Sequence, residues 1–448
     1  MDIESIHQQF AQQGTRRVKV GATDIDGILR GKYISLEKFD AAAAGGGLGF
    51  CDVIFGWDIG DVLYDNAAIT GWHTGYPDAV ARVDLETLRF LPWEAGTAFF
   101  LMDLYAKDGR PLGVSPRQVL RAVLERVHAA GFKAMLAAEY EFWFFRETPH
   151  SLREKGFRNL RPITPGMFGY SVLRASQMEA LVLDILDKLA SFNVPLEGFH
   201  TETGPGVYEA AIAVDEGLAP ADKAALFKTA VKEIAARHGI IPTFMAKWSP
   251  DLPGSGGHIH QSLTSLKDGK NVFYDNGRPS AVMLHFVAGL VQFLPELMAM
   301  VCPTINSYKR TVPGTWAPIN STWGDDNRTT AVRSIPGSLK STRVELRLPG
   351  SDANPYLVMA ASLAAGLEGI ERRLEAPAAA TNAYADPGAA ALPASLAEAA
   401  ARLRASSLAR KWFGDEFVDH FAGTREWEVR QYQRAVTDWE LARYFESV

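Results

Sequence analysis

Cysteine is scarce in this chain. Only Cys51 and Cys302 occur among 448 residues, far apart in sequence. That leaves no disulfide framework or thiolate zinc cluster to expect and fits a reducing, cytoplasmic compartment. Excess positive charge is missing too. The formal net charge is −6, which implies no nucleic-acid partner. No apolar run is both long and unbroken: residues 280–301, "SAVMLHFVAGLVQFLPELMAMV", are interrupted by His285, Gln292, Pro295 and Glu296. A buried helix, not a membrane span, is the reading that follows. The opening "MDIESIHQQFAQQG" lacks the layout of a secretory signal. Neither G-x-x-x-x-G-K-[ST] nor G-x-G-x-x-G is present, so the two commonest phosphate cradles are excluded. No fixed-period repeat suggests a solenoid or propeller.

What is present is the composition of a soluble globular protein, 47% hydrophobic and 22% charged, long enough for two or three domains, and its size suggests an enzyme. Residues 15–36 read as a hairpin around a "DIDG" turn. "AAAAGGGLGF" (41–50) reads as a mobile loop. The strand-like runs "AVARVDL" and "GTAFFLMDL" carry a first domain to about residue 108. From 109 to 448 helices and strands alternate as in an α/β unit. "NPYLVMAASLAAGLEGIERRLE" is expected as an amphipathic helix, and 376–393 as an Ala/Pro-rich surface excursion.

Several strand-like runs carry ionisable residues two apart, so that both share one face. Glu139 and Glu141 do so in "AEYEF"; His258, His260 and Ser262 in "GHIHQSL"; Arg343, Glu345 and Arg347 in "RVELR". Glu202 and Glu209 flank a Gly-Pro-Gly turn. Each pair alone is what a solvated strand face gives. Together they describe a polar-lined interior, because like charges on a buried face need compensation. Five carboxylates and two imidazoles suit hard divalent cations such as Mg²⁺ or Mn²⁺. Lys309, Arg310, Arg328 and Arg333, among turn residues, add forks for carboxylate or phosphate. Metal ligands and arginines without a Walker loop point to phosphoryl transfer on another scaffold.

The blocks "AEYEFWFF", "TETGPGVYE", "GSGGHIHQSL", "NSYKR-VPG", "NR" with "VRSIP", and "RVELRLPGSDANPYLVMAASLAAGLEGI" resemble, in order, the signatures of the glutamine synthetase family. The resemblance implies an α+β fold: a small N-terminal β-grasp domain (1–108) and a large catalytic domain (109–448) around a curved, barrel-like antiparallel sheet. It also implies a dodecamer of two hexameric rings with active sites between subunits. It implies ATP and two to three divalent ions per site, with L-glutamate as substrate. Its metal ligands are Glu141, Glu202 and Glu209 for one ion and Glu139, His258 and Glu345 for another. His260, Ser262, Arg328, Arg333 and Arg343 match nucleotide or phosphate contacts. Gly254, Arg310 and Arg347, with Glu141, match glutamate-binding positions. Arg328, Glu345 and Arg347 form the implied catalytic set.

The sequence departs from that pattern at the nucleophile. Where glutamine-forming enzymes carry a flap glutamate, this chain reads "GTWAP" and has Trp316, and Pro253 replaces an asparagine. Asp58, or Asp61, in "FGWDIGD" is the candidate for the aspartate that faces ammonium across the interface. "GTWAP" and "WGDDNRT" resemble the γ-glutamylpolyamine and γ-glutamylalkylamide branch. The expectation is therefore a ligase for a primary amine other than ammonia. The alternatives are an ammonia-using glutamine synthetase and a catalytically silent relative, the latter opposed by the retained metal carboxylates. A guanidino kinase is opposed by "NSYKR" and the amino-terminal domain.

Overall fold

The computed structural model describes residues 1–386 and 388–448. Two sheets organise the chain. The first builds on Arg17–Thr23, which pairs antiparallel with Leu29–Ile34 and parallel with Thr97–Tyr105. Asp78–Val83, Leu48–Cys51 and Arg89–Phe90 complete its six strands. The hairpin expected over 15–36 is this antiparallel pair. The helix Ile3–Gln12 lays Ile6 and Phe10 onto the sheet. It is started by Asp2, whose carboxylate accepts from the Ser5 N–H. The Ala/Gly segment is not a free loop. Its alanines prolong the helix Leu36–Ala41 into one wide turn, Ala42–Gly46, with Gly45 at φ 103°, and the strand Leu48–Cys51 follows. Alanine's helix preference holds until glycine frees the backbone.

The second sheet has nine strands. Across its width run Trp323–Asp325, Val332–Ile335, Arg343–Leu346, Gly257–Ser265, Phe132–Phe145, Val207–Ile212 and Leu196–Thr201. Pairs are antiparallel except that Trp323–Asp325 lies parallel to Val332–Ile335. The short strands Asp215–Glu216 and Ile241–Thr243 pair with opposite ends of Phe132–Phe145. The sheet curls into a half-barrel. Helices Pro116–Ala129 and Ala219–Arg237 pack on Phe132–Phe145, and Pro355–Glu371 lies against those helices and reaches the sheet through the hydrogen bond between Ser362 and Gln261.

The two sheets share their packing. In Thr97–Tyr105, Phe100 and Met102 face the small core with Val18, Val20 and Phe39, while Phe99 and Leu101 join the large one. Phe192 packs edge-on against Trp93 at 4.9 Å between ring centroids and against Phe99 at 6.2 Å. Period-two alternation, apolar on both sides, produces this double burial.

Ala281–Val301 is long and apolar enough to cross a membrane, and it is a core helix here. It crosses Pro355–Glu371 so closely that a Cβ at Gly289 would collide with the Ala365 carbonyl and Gly369. Pro355–Glu371 is not amphipathic: Pro355 through Gly369 are buried on every side, as suits a helix apolar all round. The 376–393 segment includes Pro387, which lies outside the described residues. Its flanks are tethered, Ala390–Ala391 pairing with Asn320–Ser321 and the Ala380 N–H bonding the Trp323 carbonyl.

Candidate active site

Register gathers the polar pairs. His258 lies opposite Glu139, His260 opposite Glu345 and Glu141 opposite Glu209 on neighbouring strands. Tyr140, Phe142, Val344 and Leu346 turn the other way and are buried in the core. One face is thus a row of ionisable groups held by a rigid apolar backing.

Glu345 is the most enclosed of these groups. It accepts from Arg347 Nη1 at 2.5 Å and from Arg333 Nη1 at 2.9 Å, and His258 Nδ1 stands 3.4 Å away. Burial alone would raise its carboxyl, but the charges of His258, Arg347 and His260 outweigh that and hold it at about 2. His258 Nδ1 is also 3.1 Å from Glu139 Oε1, and His260 Nε2 is 3.5 Å from Glu139 Oε2. Burial opposes ionisation of Glu139 as well, and the two histidines beside it, His258 through a hydrogen bond, hold it far below the ordinary carboxylate range. Ligand atoms of Glu139, His260 and Glu345 lie within 4.8 Å of one another, as do those of Glu139, Glu209 and His258. Carboxylate oxygens with one imidazole nitrogen at this spacing fit a hard divalent cation.

A third group, His200, Glu202 and Glu209, meets the same 4.8 Å limit. His200 was not among the residues singled out from the sequence, although "HTE" places it two residues before Glu202, the spacing that marked the other pairs. Burial raises the Glu209 carboxyl; a hydrogen bond with His200 offsets part of that, and the charges of Glu139 and Glu141 add to the rise. Glu141 belongs to none of the three groups, and its carboxylate accepts from the Gly256 N–H at 2.5 Å.

Arg343 donates from Nε to His260 Nδ1 at 3.1 Å. Ser262 is half-buried on the same face, two residues beyond His260. Arg310 is buried and donates to the carbonyls of Leu348 at 2.9 Å and Arg347 at 3.2 Å. A Cβ at Gly254 would stand 2.6 Å from the Ala246 oxygen and 2.7 Å from Arg310 Cγ, so only glycine fits beside that arginine. Arg347 Nε reaches the Arg328 carbonyl at 3.3 Å, and the Arg328 side chain is exposed. Arg328 and Trp316 line one open recess of about 620 Å³, with Asp325, Asp326 and Asn327. Trp316 is 66% exposed and sits at φ 60°, unusual for a bulky residue. Asp58 is not with this group in the chain. Its carboxylate caps its own loop at the N–H groups of Gly60 and Val62 and accepts from Trp427 Nε1 at 3.1 Å.

A family model for the glutamine synthetase catalytic domain matches residues 113–444. The chain belongs to the glutamine synthetase family. A type-1 glutamine synthetase 2 of Dictyostelium discoideum is 49% identical over 439 residues, covering 96% of this chain and 84% of that protein. A glutamate–isopropylamine ligase of Pseudomonas sp is 41% identical over 437 residues, covering 96% and 95%. Among solved structures, a complex of GmaS with ADP superposes with a TM-score of 0.85 at 28% identity, covering 99% of both chains. The chain is accordingly an ATP-dependent carbon–nitrogen ligase of the glutamine synthetase family.

Proposed function

We propose that this enzyme joins the γ-carboxylate of L-glutamate to a small primary amine bearing a hydrocarbon body, by way of γ-glutamyl phosphate. The observation that carries this reading is Trp316. It stands where the family resemblance implies a glutamate, exposed in the recess it shares with Arg328. An indole offers an apolar wall and a cation–π face. It cannot act as counter-ion to ammonium or take its proton. The Pseudomonas relative, named for isopropylamine, fits the same idea.

In this reading a γ-carboxylate oxygen attacks the γ-phosphorus of ATP, the bond to the ADP oxygen breaks, and a carboxyl oxygen becomes a leaving group. The amine nitrogen then attacks the acyl carbon, phosphate departs, and the nitrogen loses its proton. Glu139, His258 and Glu345 would hold one ion, Mg²⁺ or Mn²⁺, with Glu141, Glu202 and Glu209 available to a second. Such ions, when bound, neutralise the charge gathered between the nucleotide and the carboxylate. Arg343, Arg333, His260 and Ser262 bind the nucleotide. Arg328 offsets charge on the transferring phosphoryl group. Arg310, Arg347 and Gly254 orient glutamate, and the buried backing of the strands keeps these groups from reorganising.

The same reading takes residues 1–108 as the β-grasp domain and 109–448 as the catalytic domain of a cytoplasmic dodecamer, with Asp58 facing a neighbouring subunit's site. Glutamine formation from ammonia is the second reading, favoured by the 49% identity to the Dictyostelium protein. The deciding test is phosphate release from ATP with glutamate and Mg²⁺, comparing ammonium with methylamine, isopropylamine, ethanolamine, putrescine and aniline. The products are identified by mass. Stimulation by an alkylamine, with ammonium near background, is expected. Ammonium as the best nucleophile would establish the second reading.

A further inference from the structure

We propose that Trp143 is a positioning residue for the substrate: its indole holds the loop that presents Gly254 to glutamate. This rests on the reading above of Gly254 and Arg310 as glutamate-binding groups.

In Phe132–Phe145 burial alternates as far as Phe142, with Glu139 and Glu141 on the open face, and from there every residue is buried. Trp143 is the next residue of that open face, yet no part of it meets solvent. The row of carboxylates therefore ends in an indole covered by other chain. Trp248 supplies part of the cover, standing edge-on to Trp143 at 5.4 Å between ring centroids and to Phe145 at 4.9 Å. Leu252 joins the same small cluster, which is separate from both main cores.

Trp248 and Leu252 belong to a loop closed at its base, where the Ser255 N–H donates to the Ala246 carbonyl at 2.8 Å. Two ties fix that loop. Asn306 brackets Lys247, accepting from its N–H and donating to its carbonyl, each at 2.8 Å. Asn306 directly precedes the helix Ser307–Arg310. Trp143 holds the other end: Nε1 donates to Ser255 Oγ at 2.9 Å, with both residues fully buried. An indole N–H so enclosed needs an acceptor, and Ser255 supplies it one residue after Gly254. The first tie registers the loop to Arg310, and the second registers it to the strand of Glu139 and Glu141.

The ring is used as well as its nitrogen. At Gly204, with φ 152°, a Cβ would fall 2.2 Å from Trp143 Cη2 and 2.7 Å from Cζ3. The turn that follows Glu202 thus rests directly on the six-membered edge of the indole. A phenyl ring in this place would lose the donor to Ser255 and part of the support for Gly204.

The test traps the acyl phosphate with hydroxylamine, whose nitrogen displaces phosphate to give the hydroxamate, so that it does not depend on which amine is the nucleophile. In the full-length protein Ser255→Ala is expected to raise the KM for glutamate about 3–10-fold, the loss of one buried hydrogen bond. Both kcat and the KM for ATP should stay within about twofold of the wild type, because only glutamate binding is impaired. Trp143→Phe is expected to raise the glutamate KM as much or more, and the double variant to match Trp143→Phe, since both changes break one interaction. Effects that multiply in the double variant, an unchanged glutamate KM in Ser255→Ala, or equal rises for ATP and glutamate would overturn this role for Trp143 alone. If Trp143→Phe does not fold, Ser255→Ala decides. A wild-type protein whose hydroxamate formation does not require glutamate would overturn the glutamate reading with it.

Discussion

Arg343 and His260 are joined by a hydrogen bond of 3.1 Å from Nε to Nδ1. With Nδ1 accepting, the ring hydrogen sits on Nε2, the nitrogen that faces Glu139. The arginine thus fixes the imidazole's orientation from outside while its own fork remains partly exposed. A hydrogen bond to a charged donor contributes about 1.5–3 kcal/mol, which corresponds to a factor of ~10–100. Arg343→Ala is expected to raise the KM for ATP within that range while the KM for the amine stays near its starting value. Equal rises for ATP and amine would show that the pair is not specific to the nucleotide.

Glu345 is expected to matter for folding as well as turnover. It stands between Arg333 and Arg347, and Arg347 is itself buried. Glu345→Ala leaves those guanidinium groups facing one another without their shared acceptor. Breaking such a buried network by removing one partner costs about 3–5 kcal/mol. A thermal melt should show a clear drop in Tm for Glu345→Ala and a smaller one for the isosteric Glu345→Gln. Unchanged melting in both would mean that the carboxylate does not hold the arginines in place.

Arg328 has its backbone carbonyl held by Arg347 and its side chain exposed in the recess. Arg328→Ala is expected to lower kcat by about 100-fold or more, as loss of one preorganised charge-stabilising donor does elsewhere, with the KM for glutamate little altered. A large rise in that KM with kcat preserved would reassign Arg328 to substrate binding.

His420 provides a pH prediction away from the site. Both ring nitrogens are buried without a partner among the described residues. Burial, with a smaller contribution from Arg425, lowers its pKa from 6.5 to about 4. Between those values the unfolded chain binds the proton more strongly than the native one, so stability falls as pH drops from 6.5 towards 4. His420→Leu should flatten this part of the Tm-versus-pH curve. Parallel curves for the two proteins would refute the assignment.

Gly289→Ala tests the helix crossing. The added methyl has no room beside the Ala365 carbonyl and Gly369, and overpacking of this kind costs about 1–3 kcal/mol. A Tm equal to the wild type would mean that the helices separate freely.

Much of the site was legible because strands have period two. Glu139 with Glu141, His258 with His260, and Arg343 with Glu345 declare a shared face in the sequence, and the register then sets those faces side by side. His200 was not read, since Glu202 was taken with the turn that follows it and not with the strand before. Nor does spacing reveal that one Glu141 oxygen accepts from the Gly256 N–H, because that depends on where Gly256 comes to lie. Ala42–Gly46 looked like a loop because glycine dominates it, yet the alanines before it continue a helix. Pro355–Glu371 looked amphipathic because its polar residues cluster at the end, while burial on all sides comes from neighbours far away in sequence.

The two-sided strand Thr97–Tyr105 has a consequence for the order of synthesis. When the ribosome has delivered the first sheet, Phe100 and Met102 can already be covered by earlier segments. Phe99 and Leu101 can be covered only in part, since much of the cluster they join, Phe192 against Phe99 included, is made later. Until the second sheet closes, the nascent chain carries a partly uncovered apolar stripe, and that interval is when it most needs protection from its neighbours.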